Sequence, residues 1–265
     1  MSFKYFIPKI KNNVWRDYWV KKNLEKEVDS CRVDELWIII KKFVKLSNKV
    51  IDAGCGLGRW VIFLSRQGYN VVGVDNFKDV IERLKNFDKT LKVIVADVRS
   101  LPFKDEEFDV YLSFGVVEHF EEGPTKVLRE AKRILKEGGI IILETPYDNL
   151  LRRVKRLIKF FLLRKKEKPM DKFQFYEYRF TTTELKKFLK NLNFKILATY
   201  SKDLLLDNES IGLWSDFPFL RSKNEEPFKL NRWGVLIKKT LKPFKILFSG
   251  CTVVVAKKEC RGEKN

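Results

Sequence analysis

The sequence predicts an α/β fold with a doubly wound, mostly parallel sheet, and two observations lead to this prediction. Apolar runs of strand length alternate with helical stretches between residues 49 and 147, as in a βαβ architecture. The first run ends at Ala53 and passes into a loop with a glycine at every second position, before a helix that begins at Arg59. Glycine lets a ligand lie directly on the backbone. The carboxyl end of a first strand is where such sheets bind nucleotides.

Seven strands are predicted, each from a short apolar run bounded by glycine or by polar residues. They are Val50–Ala53, Asn70–Asp75, Leu91–Ala96, Phe108–Ser113, Ile140–Leu143, a strand that opens at Asn193, and Gly250–Lys257. The spacing of apolar residues predicts helices at 33–46, 59–67 and 125–135, and further helices that begin near Phe77 and near Thr183.

The second strand ends in an acid, Asp75, at about 20 residues beyond the glycine loop, which is the spacing of a ribose-binding carboxylate. One carboxylate can accept hydrogen bonds from both hydroxyls of a ribose. The alternative is that Asp75 caps the helix that begins near Phe77. With the glycine loop in place, the ribose interpretation is favoured.

The pattern Asp-x-Gly-x-Gly-x-Gly, from Asp52 to Gly58, resembles the first motif of the Rossmann-like S-adenosylmethionine (SAM) methyltransferases. The resemblance covers residues 49–147 without a gap and resumes at residues 178–185. The segment from Phe108 to Phe120 is similar to methyltransferases of ubiquinone and menaquinone biosynthesis. The resemblance implies a seven-stranded sheet with an antiparallel last strand, SAM as the cofactor and S-adenosylhomocysteine as the product.

In this family the glycine loop packs against the amino-acid half of SAM, and an acid after the third strand reaches the adenine amino group. The resemblance therefore places the Asp97 carboxylate on the adenine amine and the Val98 N–H on a ring nitrogen, which suits a donor beside an acceptor. The cofactor-binding residues that it implies are Asp52, Gly54, Gly56, Gly58, Asp75, Asn76, Asp97, Val98 and Phe114.

His119, the only histidine of the chain, follows the fourth strand, where the pocket of such a sheet opens. An imidazole pKa near 6.5 suits removal of a proton from an oxygen or nitrogen nucleophile near neutral pH. The alternative is a histidine that holds its loop by hydrogen bonds, and Glu118 is a second catalytic candidate in the same turn. On the substrate side we expect Trp19, from an aromatic N-terminal segment, together with Tyr147 and Tyr178.

The chain is predicted to form one domain of three parts. Residues 1–48 are an N-terminal helical cap, residues 49–147 the SAM-binding half, and residues 148–265 the substrate half. The formal net charge of +19 is concentrated in the last part. Residues 151–265 carry 28 Lys/Arg and 12 Asp/Glu, whereas residues 50–150 carry 14 and 17. Such asymmetry indicates an acidic partner or simply a lysine-rich surface.

Residues 150–168 and 202–247 are insertions relative to the common core, and each combines Lys and Arg with apolar residues at helical spacing. One interpretation is a lid over the substrate pocket with its basic side chains in water. The other is a basic amphipathic helix at an anionic membrane surface.

Other classes of protein are not indicated. No apolar run approaches the ~20 residues of a membrane span, and the first ten residues hold no apolar signal core. The four cysteines form no C-x-x-C pair beside the one histidine, so no metal site is predicted. We expect a cytoplasmic protein with reduced thiols, and contact with the membrane surface stays open.

Two functions from different classes remain. The first is a SAM-dependent methyltransferase that acts on a small-molecule or lipid-like acceptor. The second is an RNA-associated methyltransferase, or a nucleic-acid-binding protein, that uses the basic C-terminal half. No RNA-binding motif is visible, and Ser113-Phe-Gly-Val116 stands where base-directed enzymes often have Asn-Pro-Pro-Tyr. Nucleic acid is therefore the less favoured partner.

Overall fold

The computed structural model describes residues 3–9, 23–162, 172–223 and 228–260. Its strands are β1 (Phe3–Pro8), β2 (Lys49–Ala53), β3 (Asn70–Asp75), β4 (Lys92–Val95), β5 (Phe108–Phe114), β6 (Leu135–Pro146), β7 (Phe173–Arg179), β8 (Phe194–Lys202) and β9 (Cys251–Lys258). Its α-helices are α1 (Leu24–Ser30), α2 (Glu35–Phe43), α3 (Arg59–Arg66), α4 (Lys78–Phe87), α5 (Thr125–Ile134), α6 (Leu150–Leu162), α7 (Thr182–Lys190), α8 (Ile211–Asp216) and α9 (Arg232–Leu241). Short 3-10 turns include Val117–His119, Pro218–Leu220 and Lys242–Leu247.

Seven strands form one sheet in the order β4-β3-β2-β5-β6-β9-β8. The pairs among β2 to β6 are parallel, and β9 runs antiparallel to both of its neighbours. This confirms the predicted α/β sheet with an antiparallel last strand. The strand order reverses between β2 and β5, so the carboxyl ends of these two strands flank the crevice where such sheets bind ligands.

The core lies on both faces of this sheet, because alternate residues of a strand point to opposite sides. Val50 packs with the layer that contains α1 to α4. The next residue, Ile51, packs with the layer that contains α5 and α7. Both side chains are fully buried, as are their neighbours on β5. The central strands are thus covered on both sides, and only their ends are available for a site.

The N-terminal cap is not all helical, which corrects the prediction for residues 1–48. β1 pairs antiparallel with β7 in a separate two-stranded sheet. Aromatic pairs hold the two strands together: Phe6 meets Phe175 at 6.1 Å between ring centroids and Tyr5 meets Tyr176 at 6.2 Å, both edge to face. This pair of strands matters for the site because it places the backbone of Tyr176.

Two predicted elements have different bounds for local reasons. The helix predicted at 33–46 begins only at Glu35, because extended Asp34 caps it by accepting a hydrogen bond from the Leu36 N–H at 2.9 Å. The strand predicted at 140–143 begins already at Leu135, because the chain bulges between Leu135 and Ile140 with Gly138 at φ +74°. Gly138 therefore lies in a bulge within β6, and the preceding helix ends earlier, at Ile134.

Helix α6 is oriented opposite to the lid interpretation, in which the basic side chains face water. Its Arg152 is buried against Asp216, with Nε 2.8 Å from the carboxylate, and its Arg156 pairs with the buried Asp148. Its Lys155 donates a hydrogen bond to the backbone of Asp216. The basic side of the helix thus lies on the protein, because acidic groups of neighbouring segments attract it.

Candidate functional site

The loop between β2 and α3 has a conformation that requires glycine. Gly54, Gly56 and Gly58 have φ values of +81°, +51° and +65°, a region that side chains with a Cβ disfavour. A Cβ built on Gly54 would lie 2.5 Å from Cγ2 of Val116. The loops after β2 and β5 are therefore in direct contact, and nothing larger than glycine fits between them.

Asp75, at the end of β3, ties this loop to the next helix. Its carboxylate accepts a hydrogen bond from the Gly56 N–H at 2.8 Å and another from the Phe77 N–H at 3.0 Å. Burial raises the pKa of Asp75, and these two hydrogen bonds oppose the rise. The contact of Asp75 with the start of the next helix is thus observed, and the ribose contact stays a prediction. Asp75 supports the start of α4, and it lies against the glycine loop at the carboxyl edge.

Asp52 lies at the same edge, at the end of β2, and is buried. Burial raises the pKa of Asp52 to about 7, the Arg59 guanidinium opposes this rise, and the Asp75 carboxylate adds to it. Such a pKa means that the charged form of the buried carboxylate is poorly stabilised by its surroundings. A cation placed beside it would therefore stabilise it.

Asp97, beyond β4, is occupied by a neighbouring side chain. Both carboxylate oxygens accept hydrogen bonds from the Arg99 guanidinium, the shortest at 2.7 Å, and Arg99 also reaches Glu122 at 3.0 Å. The Arg99 hydrogen bonds hold the pKa of Asp97 below its usual value. Val98 is buried beside them. In the predicted adenine contact, the adenine amine must therefore bind Asp97 through carboxylate lone pairs that the Arg99 hydrogen bonds do not use.

Several buried polar atoms at this edge have no hydrogen-bond partner in the described part of the chain. Trp60 lies in the first turn of α3, and its ring meets Phe114 at 5.8 Å between centroids. The unpartnered atoms are Trp60 Nε1, Ser113 Oγ, Glu118 Oε2 and Thr145 Oγ1. Since buried polar groups are normally satisfied, such a group of atoms indicates a polar ligand or water.

His119 has a fixed orientation. Its Nδ1 lies 2.8 Å from the backbone oxygen of Tyr176, in β7. A carbonyl oxygen only accepts hydrogen bonds, so Nδ1 carries the proton and Nε2 of the neutral ring carries the lone pair. Burial lowers the pKa of His119, against the effect of this backbone contact. The ring is therefore neutral at physiological pH and is able to accept a proton at Nε2.

Glu118 precedes it and is almost fully buried, at 1% exposure. Burial raises the pKa of Glu118 well above its ordinary value and so favours the neutral form of its side chain. Its Oε1 lies 3.9 Å from His119 Nε2, which is beyond a direct hydrogen bond. Glu118 therefore lies near His119 Nε2 but is not hydrogen-bonded to it.

The predicted substrate residues have different places. Tyr147 follows β6 and donates its N–H to the Gly250 carbonyl. The hydroxyl of Tyr178 donates to the backbone oxygen of Glu121 at 2.8 Å and so holds the loop after His119. Asn76 is exposed just after β3. Trp19 lies outside the described residues.

Comparison with known proteins decides the family. A sequence model described as "Methyltransferase domain" matches residues 51–143. This is the stretch that contains the glycine loop, Asp75, Asp97 and His119. The chain belongs to the class I SAM-dependent methyltransferases.

Relatives of this methyltransferase have several printed descriptions. An uncharacterized protein of Methanocaldococcus jannaschii is 31% identical over 63% of this chain and 69% of its own length. A demethylmenaquinone methyltransferase of Staphylococcus saprophyticus is 36% identical over 38% of this chain and 46% of its own length. A probable tRNA methyltransferase 9B of Homo sapiens is 30% identical over 40% of this chain and 24% of its own length. The chain spans about half the length of many of the curated relatives that it matches.

The fold extends further than these sequence matches. A solved SAM-dependent methyltransferase from Archaeoglobus fulgidus superimposes with a TM-score of 0.56 over 93% of this chain and 100% of its own, at 20% identity. The basic C-terminal half, which the family model does not match, therefore still follows the common architecture.

The site of this methyltransferase fits the chemistry of SAM. SAM has a sulfonium and an ammonium group, and the carboxyl edge of the sheet offers Asp52, Asp75 and Glu118. The glycine loop leaves no side chain between a ligand and the backbone. The unpartnered Trp60 N–H is a donor of the kind that a carboxylate needs. A cationic ligand would thus offset the cost of ionising these buried acids.

Sequence reasoning missed a buried ionic cluster beside the site. Lys202, at the end of β8, is 3% exposed, and its Nζ lies 2.7 Å from Glu144 and 3.1 Å from Asp34. Asp34 also contacts Arg59 at 3.4 Å. The cluster joins the N-terminal segment to the sheet edge. One lysine among 54 basic residues gives no signal in the sequence, since only the fold brings it to these acids.

We expect Asp75→Ala to weaken SAM binding by about 1–3 kcal/mol, the cost of leaving polar groups unpaired. The variant loses the acceptor for Gly56 as well as the predicted ribose contact. Calorimetry with SAM and S-adenosylhomocysteine measures the change. Asp88→Ala, at a partly exposed acid just after α4, is the matched control and leaves affinity unchanged. Equal affinities of the Asp75 variant and the wild type would remove Asp75 from the cofactor site.

We expect SAM binding to release a proton below pH 7. A free-state Asp52 with a pKa of about 7 is protonated there, and a cationic ligand favours the charged form. Affinity therefore falls as pH drops below about 7, by at most tenfold per pH unit. Calorimetry at pH 6 in buffers of different ionisation enthalpy measures the proton count. Asp52→Asn removes the proton release; a count of zero in the wild type would contradict this account.

Proposed function

We propose that this methyltransferase transfers the methyl group of SAM to an oxygen or nitrogen of a small-molecule or lipid-like acceptor, with His119 as the base. When bound, SAM supplies an electrophilic methyl group, so the protein must position the acceptor and exclude water. The observation that supports the proposal is the hydrogen bond from His119 Nδ1 to the Tyr176 backbone. It fixes the tautomer in which Nε2 is the basic nitrogen that can take the proton of an acceptor.

The surroundings of His119 support this role. A neutral ring is required, and burial keeps the pKa of His119 below its ordinary value. Burial raises the pKa of Glu118, which reduces the negative charge that this side chain would place beside the ring. As the acceptor attacks, Nε2 accepts its proton and the imidazolium keeps its contact with the Tyr176 carbonyl. General-base assistance of this kind contributes about 100-fold or more.

A second candidate is methylation of RNA. The relative described as a probable tRNA methyltransferase supports it, as does the excess of basic residues in the C-terminal half. Against it stands the absence of a base-binding motif after β5, where the sequence is Ser113-Phe-Gly-Val116. We therefore rank a small-molecule or lipid-like acceptor first, in a cytoplasmic protein.

An assay with methyl-labelled SAM distinguishes the two. The protein is incubated with a cell extract that is then fractionated into lipid, RNA, protein and small molecules. We expect label in the lipid or small-molecule fraction and none when His119→Ala replaces the wild type. Label in the RNA fraction would favour the second candidate, and no label in any fraction would contradict methyl transfer.

A further inference from the structure

Helix α6 exposes its apolar side to solvent. Its face at positions i, i+4, i+7, i+8 and i+11 consists of Leu150, Val154, Leu157, Ile158 and Phe161, which are 50%, 41%, 58%, 52% and 78% exposed. The opposite face, with Arg152, Lys155 and Arg156, is attached to the protein by the ion pairs and hydrogen bonds described above. Helices on the surface of globular proteins are arranged the other way. Within the described part of the chain, α6 therefore presents an exposed apolar stripe, a feature that is typical of an interaction site.

Two elements near α6 also expose apolar residues. α6 lies against the 242–247 turn, where Phe244 and Ile246 are 58% and 56% exposed. The turn follows α9, whose Trp233 and Leu236 are 71% and 55% exposed. We call these four residues and the five of α6 the apolar surface. Trp and Phe are the residues that favour the interface between water and lipid.

The elements that form the apolar surface also carry exposed basic groups. Arg153, Arg232, Lys239 and Lys242 are exposed on the same elements. Among the residues that the structure describes, Lys239 and Lys242 share one carboxylate, Asp207, at 3.8 and 3.9 Å, so two positive charges face one negative charge there. Nearby acids are already paired, Asp216 with Arg152 and Glu35 with Lys245. The surroundings of the apolar surface are therefore electropositive.

We propose that this surface docks the protein on an anionic lipid bilayer. An apolar stripe bordered by basic residues matches a bilayer, which offers hydrocarbon below a layer of negative headgroups. A second copy of the chain would cover the apolar residues, but it would bring like-charged borders together. RNA would attract the basic groups and leave the exposed Leu, Ile and Phe uncovered.

The docking surface is linked to the acceptor side of the site. α6 begins three residues after Tyr147, and Arg152 donates a hydrogen bond to the Tyr147 carbonyl. A docked protein would hold the end of β6 near the headgroup layer, where a lipid-borne acceptor is available. The nature of that acceptor rests on the proposed function, whereas docking itself does not require it.

Co-sedimentation of the full-length protein with vesicles tests the proposal. We expect binding to phosphatidylcholine vesicles that contain phosphatidylglycerol, weak binding to pure phosphatidylcholine, and a loss of about tenfold or more as salt rises from about 50 to about 500 mM. Acyl chains carrying bromine should quench Trp233, so the quenching disappears in Trp233→Phe. Absence of binding to anionic vesicles at low salt would overturn the proposal.

Matched variants connect binding to the apolar surface. Leu157→Glu should lower vesicle affinity by about tenfold or more, because it removes apolar contact and adds a repelled charge. Leu46→Glu is the control, since Leu46 is 60% exposed at the opposite, amino-terminal edge of the sheet. Equal losses in both variants, or tRNA binding that Leu157→Glu leaves unchanged while vesicle binding is absent, would contradict docking. SAM calorimetry on the same proteins tests the proposed function separately.

Discussion

The His119→Ala variant is expected to transfer methyl groups about 100-fold or more slowly than the wild type, with SAM affinity changed by less than about twofold. The ring contacts the Tyr176 backbone and the Glu118 side chain, and the proposed proton transfer needs only its Nε2. Loss of the ring removes the proton acceptor and leaves the glycine loop and Asp75 in place. Single-turnover kinetics and calorimetry measure the two quantities.

The pH dependence separates a base from a structural histidine. Because burial lowers the pKa of His119, the neutral form persists below pH 6.5, and the rate should fall only as pH drops through that lowered pKa. His119→Ala should lose this limb of the profile. An unchanged rate, or a variant that no longer folds, would assign His119 to structure.

Glu118→Gln provides a control in the same turn. Burial raises the pKa of Glu118 and so favours its neutral form, and glutamine is a neutral group of the same shape. We expect a small effect on stability and on the position of the pH limb. A loss as large as that of His119→Ala would show that Glu118 works as a carboxylate in the complex and would move the base to Glu118.

The part of the fold that the sequence predicts well is the part with local signals. β2 and β3 are apolar runs that end in an acid, and the glycine loop has an alternate spacing that few other structures require. Their bounds therefore agree closely with the prediction. The direction of β9 came from the family resemblance, since an apolar run has the same appearance in either direction.

The elements that escaped prediction depend on residues far apart in the chain. β1 pairs with β7 although the paired residues are more than 160 positions apart in the sequence. Neither strand has a sequence pattern that identifies the other as its partner. The orientation of His119 depends on that pairing, because β7 supplies the carbonyl that fixes its tautomer. The sequence thus identifies His119 as a candidate base, and only the tertiary structure shows which ring nitrogen carries the proton and which carries the lone pair.

The orientation of α6 shows a further limit of pattern reading. Periodicity identified an amphipathic segment from Leu150 onward, but it cannot tell which face meets the protein. That choice depends on Asp148 and Asp216, which attract the arginines of the helix. Asp216, more than 60 positions away in the sequence, thus helps to turn the arginines of the helix toward the protein and its apolar residues toward solvent.

Lys202→Ala is expected to lower the free energy of unfolding by about 3–5 kcal/mol, because it removes the cation between two buried carboxylates, Glu144 and Asp34, and leaves Asp34 with the more distant Arg59 guanidinium. The ammonium group contacts Glu144 at 2.7 Å and Asp34 at 3.1 Å. Burial opposes ionisation of Asp34, but Lys202 and Arg59 outweigh it and hold the pKa of Asp34 below its usual value. Denaturant unfolding at pH 7 measures the loss.

The pH dependence of the loss tests its cause. Stability from a depressed Asp34 pKa is present above the ordinary pKa of 3.8 and is lost as pH falls through the folded value. Without Lys202, burial raises the Asp34 pKa, so protonation relieves the variant first and the gap to the wild type narrows as pH approaches about 4. Lys78→Ala, which breaks an exposed pair with Glu82, should cost less than about 0.5 kcal/mol at either pH. A loss in Lys202→Ala that is equally small, or one that does not change with pH, would show that packing of the lysine stem and not its charge holds the N-terminal segment to the sheet.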